Sequence, residues 1–92
     1  MKIVANDYTP QEIIRIIREW TELSQKDFGK TVHRSERGIQ AFELGKRNYN
    51  MQTLIQIANT HGITITIEKK GKECQYFNFL LFYSIIYNYI QL

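Results

Sequence analysis

Four stretches of the chain place apolar residues three and four apart, and a fifth places them two apart. In the first, Ile13, Ile17 and Trp20 share one helical face, and Ile14 and Ile16 widen the apolar arc around Arg15 and Arg18. In the second, Phe28 and Val32 stand at i and i+4; in the third, Ile39 and Phe42 stand at i and i+3. The fourth sets Leu54, Ile57 and Ala58 at helical spacing. The fifth, Ile63 to Lys69, alternates apolar and polar residues and is rich in β-branched side chains, the pattern of a strand.

Punctuation between these stretches sets the boundaries. Thr9-Pro10-Gln11-Glu12 puts a proline at the first helical position and an acid near the positive dipole end, so a helix is expected from there to about Trp20. Ser24 can accept an orphan amide at the start of a helix from Gln25 to near Val32. Ser35 repeats that chemistry, and Gly45 stops the helix it opens. Asn50 caps a fourth helix over 51–61, which Gly62 ends. Gly29 falls on the inner face of the second helix, where only a small residue lets the next helix approach, at a cost of about 1 kcal/mol in helix propensity relative to Ala. The fold class expected is mainly α. A lead over 1–8 precedes a bundle of about four helices over 9–62, one strand over 63–70 and a tail over 71–92.

Two short helices joined by a tight turn thus occupy Leu23 to Arg47, and their residues resemble the Cro and phage-repressor-like helix-turn-helix family, also called the xenobiotic-response-element (XRE) family. The matching positions are Gln25 opening the first helix, Phe28 and Val32 in its core, small Gly29 where the family prefers Ala, Ile39 in the second helix, and Phe42-Glu43-x-Gly45-x-Arg47 closing it. The resemblance covers about Thr9 to Gly62 and implies a lambda-repressor-like bundle. Two positions depart from it, His33 where the family usually has Gly and Arg34 where it usually has an apolar residue. The turn calls for a positive φ at His33, which His tolerates better than most residues. Arg34 is expected to lay its stem on the core and its head in solvent.

The resemblance implies double-stranded DNA as a partner. The second helix of such a motif enters the major groove, which turns Ser35, Glu36, Arg37, Gln40 and Ala41 toward base edges while Ile39 and Phe42 point inward. Arg37 suits a two-pronged contact to guanine, Gln40 suits adenine, and Glu36 can accept from cytosine N4. Glu36 would equally serve the helix dipole, and Arg37 would equally touch a phosphate. Backbone contacts fall to Gln25, Lys46, Arg47, Asn48 and the amides near Asn50. The resemblance gives Glu43 a structural hydrogen-bonding or ion-pairing role, with Arg47 as a candidate partner, rather than a base-reading one. The function implied is a transcriptional regulator, by default a repressor of an inverted-repeat operator. The family also contains antitoxins that repress their own operons, which would add a cognate toxin as partner. The rival is a protein-interaction or membrane-tethered adaptor in which the motif is only a scaffold.

One strand is incomplete, because its edges present unpaired amides and carbonyls. No second strand of comparable quality lies upstream. The same strand from a second copy, paired antiparallel about a two-fold axis through Ile63, Ile65 and Ile67, would complete it and make a homodimer. The other arrangement lays the strand against its own helices.

Composition changes this picture little. With 92 residues the core is marginal alone, which favours oligomerisation. The net charge is only +3, but Ser24 to Tyr49 carries Lys26, Lys30, Arg34, Arg37, Lys46 and Arg47 against Asp27, Glu36 and Glu43. The single cysteine, Cys74, excludes an internal disulfide and fits a reducing cytosol, and no secretory signal pattern opens the sequence, so a cytoplasmic location is expected. His33 and His61 share no metal-ligand spacing with Cys74. There is no glycine-rich phosphate loop, nucleophile elbow or isolated carboxylate pair, so neither an enzyme nor a bound cofactor or metal is expected. The segment Tyr76 to Leu92 is uncharged and holds seven of the twelve aromatic residues. Ser84, Asn88 and Gln91 would line one polar stripe of a helix there. Three roles stand open for that helix: burial against a dimer, a membrane tail anchor, and no role of its own. Its seventeen residues sit at the lower limit of the roughly 17 to 25 needed to span a bilayer. Lys69, Lys70 and Lys72 would suit a cytoplasmic flank.

Overall fold

Each α-helix among the described residues begins where a side-chain oxygen accepts an otherwise unpaired amide. The computed structural model describes residues 1–69, and in it a single 3-10 turn, Ala5–Asp7, leads into α1 (Pro10–Thr21), α2 (Gln25–Thr31), α3 (Glu36–Glu43) and α4 (Met51–Thr60). Thr9 accepts from the Glu12 amide at 3.2 Å while the Glu12 carboxylate accepts from the Thr9 amide at 3.0 Å, a reciprocal capping box. Those bonds from Thr9 hold the Glu12 carboxyl below its ordinary range. Ser24, Ser35 and Asn50 accept from Asp27, Gly38 and Thr53 at 3.1, 3.0 and 2.8 Å. Each cap expected from the sequence is in place. α1 ends as Glu22 turns into the left-handed region at φ 59°.

The core is built from Ile14, Ile17, Phe28, Ile39, Phe42 and Ile57, all buried, with Ile13, Leu23, Val32, Tyr49, Leu54 and Ile63 packed at its margin. The centre of the α1 face is therefore Ile14 and Ile17, and Trp20 stands half-exposed outside the cluster. Five apolar residues distributed around Arg15 and Arg18 offer little contrast to orient a helix, so the centre of the buried face lies a fraction of a turn from the one expected.

The turn between α2 and α3 closes over Gly29. Its carbonyl accepts the amides of Val32 at 3.2 Å and Arg34 at 2.8 Å, and a Cβ on Gly29 would lie 2.5 Å from the Arg34 carbonyl oxygen. The close approach is thus to turn backbone rather than to a side chain of the next helix. His33 sits at φ 59°, the positive value the turn requires.

The expected strand over 63–70 is not seen in the described part of that range, residues 63–69. Among the described residues there is no strand. Ile63 donates its amide to the Ala58 carbonyl at 2.8 Å and packs against its own core, while Ile65 and Ile67 are 39% and 89% exposed. Alternation supplies the side-chain pattern of a strand, but a ladder also needs a second row of donors and acceptors, which residues 1–69 do not present to it. The helix expected over Tyr76 to Leu92, with Lys70, Lys72 and Cys74, lies outside the described residues. Among the described residues, no helix is long and apolar enough to cross a membrane.

Candidate nucleic-acid interface

The frame of the helix-turn-helix is fastened by an ion pair that spans α1 and α3. Arg18 donates from Nε to Glu43 Oε2 at 2.8 Å and from Nη2 to Glu43 Oε1 at 2.9 Å, and its Nη1 reaches the Leu23 carbonyl at 3.1 Å. The Glu43 side chain is only 5% exposed. Its bonds to Arg18 push the guanidinium further toward the charged form, against the opposing effect of burial. This corrects the expected pairing of Glu43 with Arg47: packing of α1 on α3 delivers Arg18, whereas Arg47 stands exposed beyond the Gly45 turn.

The other end of α3 is held by its turn. The Arg34 guanidinium lies 5.6 Å above the Phe42 ring, and its Nη2 makes a long contact of 3.5 Å to the Thr53 hydroxyl on α4. Its head therefore rests on the ring face instead of extending freely into water, an arrangement worth about 0.5 to 1 kcal/mol at an exposed site. On the far side, His61 stacks on Phe28 with centroids 5.1 Å apart and planes at 13°. Its Nε2 lies 2.8 Å from the Thr31 hydroxyl. That hydroxyl already donates to the Phe28 carbonyl at 2.6 Å, so the hydrogen in the contact belongs to Nε2 of His61.

Between these fastenings α3 presents an uncommitted face. Glu36, Arg37 and Gln40 are exposed, and among the described residues none of their side chains joins a hydrogen bond or ion pair. Ser35 borders this face, with its oxygen occupied as the cap of α3. Ala41 is half-buried, and its carbonyl accepts the amides of Lys46 and Arg47 at 2.9 and 3.2 Å. Gln25 is half-buried at the first position of α2. Lys46, Arg47 and Asn48 are exposed on the α3–α4 loop, which Gly45 opens at φ 74°. The Asn50 side chain is engaged with the Thr53 amide.

The electrostatics are more one-sided than the sequence count. Lys26, Lys30, Arg34, Arg37, Lys46 and Arg47 are all exposed, while Glu43 is neutralised by Arg18 from outside the motif. That leaves Asp27 and Glu36 as the exposed acids between Ser24 and Tyr49. No group of three or more side chains suited to a metal occurs among the described residues.

No family model matches this chain, and neither do the curated proteins or the solved structures.

Two residues of the site's geometry were not singled out from the sequence. Tyr49 sets its ring edge-on to Phe42, with centroids 5.4 Å apart and planes at 69°, and donates its hydroxyl to the Pro10 carbonyl. Burial raises the Tyr49 phenol above its ordinary value. The available signal was a lone aromatic in an otherwise polar loop, directly between the basic pair and the α4 cap. Gly38 is buried beneath the start of α3, where a Cβ would come 3.3 Å from the Ser35 Oγ that caps the helix.

Proposed function

We propose that this protein is a sequence-specific double-stranded DNA-binding transcriptional regulator that works in the cytoplasm as a homodimer. The observation that carries this reading is the exposed triplet Glu36, Arg37 and Gln40, unengaged among the described residues, on a helix anchored at both ends and flanked by the basic Lys46–Arg47 loop. Arg37 reads guanine and Gln40 reads adenine in the major groove, while Glu36 accepts from cytosine N4 or supports the helix terminus. Lys46, Arg47, Asn48 and Gln25 hold phosphates, which fix register without reading sequence.

Dimerisation is supported by the exposed Ile65 and Ile67 and by backbone around them that has no partner among the described residues, which a second copy covers by antiparallel pairing. Ile63 is spent on its own core, so Ile65 and Ile67 carry the interface. Two copies would place their α3 helices in successive major grooves about 34 to 36 Å apart on an inverted repeat. Occupation of a promoter by such a dimer represses it; autoregulation beside a cognate toxin is one setting in which this chemistry operates.

Selection of bound duplexes from a random-sequence pool by the full chain, followed by a salt titration, tests the reading. An inverted repeat with salt-sensitive affinity is expected. Absence of any salt-sensitive binding removes the regulator and leaves the adaptor. Arg37→Ala should weaken the selected duplex by about 1 to 3 kcal/mol and random duplex far less, measured by competition binding. Equal losses on both would reassign Arg37 to phosphate.

A further inference from the structure

The loop between α3 and α4 is held to two different helices at its two ends. Its beginning belongs to α3, because the Ala41 carbonyl receives the amides of Lys46 and Arg47. Its end belongs to α1. The Tyr49 hydroxyl donates to the carbonyl of Pro10, the first residue of α1, while the ring is wedged against Phe42 at 5.4 Å. The next residue of α1 braces the loop's start as well: a Cβ on Gly45 would lie 2.7 Å from Nε2 of Gln11, so that carboxamide lies directly on the glycine. Gly45 and Tyr49 thus bracket Lys46, Arg47 and Asn48, whose side chains face solvent.

We infer that Tyr49 is a positioning residue for phosphate binding, with Gln11 as its companion brace. The inference rests on the DNA-binding reading above and assigns a mechanical division within it. Base reading depends on α3, which Arg18 and Glu43 fasten. Backbone grip depends on the loop, which the first turn of α1 fastens through Tyr49. A loop already held in its bound shape loses less freedom when its cations meet phosphates, so releasing it weakens the grip without disturbing the reader. Tyr49→Phe removes the tie to Pro10 and keeps the ring on Phe42.

The test uses the full chain with two probes of equal length, a duplex selected from the random pool and a random-sequence duplex, each titrated with salt. Tyr49→Phe should lower the slope of log affinity against log salt by about 1 per half-site and weaken both probes, while the ratio between them stays within about twofold. An unchanged slope overturns the inference. So does a ratio that collapses together with the slope, since that reports general loosening of α3. Gln11→Ala, at a half-buried position in the first turn of α1, keeps the test decisive if the phenylalanine variant folds poorly: it should shift the slope in the same direction, and a slope equal to wild type overturns the brace. Wild-type protein without a salt slope would sink the DNA reading itself, whereas a steep wild-type slope that the variants share sinks only the brace.

Discussion

The block formed by α1, α2 and α3 and the region formed by α4 with residues 61–69 are stabilised in different ways. In the first, Ile14, Phe28 and Ile39 are fully buried and a two-pronged ion pair closes the outer edge. In the second, Ile57 and Ala58 reach the core, but Met51 and Ile55 remain 56% and 43% exposed on α4, and Ile65 and Ile67 are uncovered beyond it. The ties back to the first block are an aromatic stack from His61 to Phe28 and polar contacts to Thr31 and Arg34. One half of the molecule has completed its own packing, while the other keeps apolar surface in reserve. Apolar surface held back in this way is what association consumes.

Substitutions in the first block should show how much that completeness is worth. Glu43→Ala strands a part-buried guanidinium without its partner, and should cost about 2 to 3 kcal/mol in denaturant unfolding. A change within 0.5 kcal/mol, about the size of an ordinary surface substitution, would mean that water replaces the carboxylate freely. Gly29→Ala comes next. The added Cβ meets a backbone carbonyl at 2.5 Å, which cannot rotate away, so a net loss of about 1 to 2 kcal/mol is expected despite alanine's better helix propensity. An unchanged or raised Tm would show that the turn can shift. In the second region the stability effect should be smallest and the effect on association largest. Ile65→Pro removes an amide with no backbone partner among the described residues, so it should leave unfolding of the helical block within about 0.5 kcal/mol while reducing the solution mass to that of a single chain. The same mass for both proteins would contradict pairing through this segment.

What could be read in the sequence follows the range of the interactions involved. The caps at Ser24, Ser35 and Asn50 were legible because each bonds an amide three residues away, and local chemistry is written locally. The positive φ at His33 was legible for the same reason. Glu43 drew the wrong partner because Arg18 lies 25 residues upstream and reaches it only through helix packing. Tyr49 was passed over because its partner is the backbone of Pro10, which no side-chain pattern announces. The segment from Ile63 carries the alternation of a strand, yet its pairing depends on atoms beyond this stretch of chain. For the interface itself, exposure of Glu36, Arg37 and Gln40 followed from helical periodicity once Ile39 and Phe42 were placed inside.

The fastening of α3 at its two ends has one more consequence. Ser35, Ile39, Phe42 and Glu43 carry the structural duties of that helix, and the exposed side chains among them carry none that the described residues reveal. The frame and the message are therefore separately editable. If the proposed DNA reading holds, new residues at positions 36, 37 and 40 would change what the helix recognises without asking the rest of the molecule to refold around them.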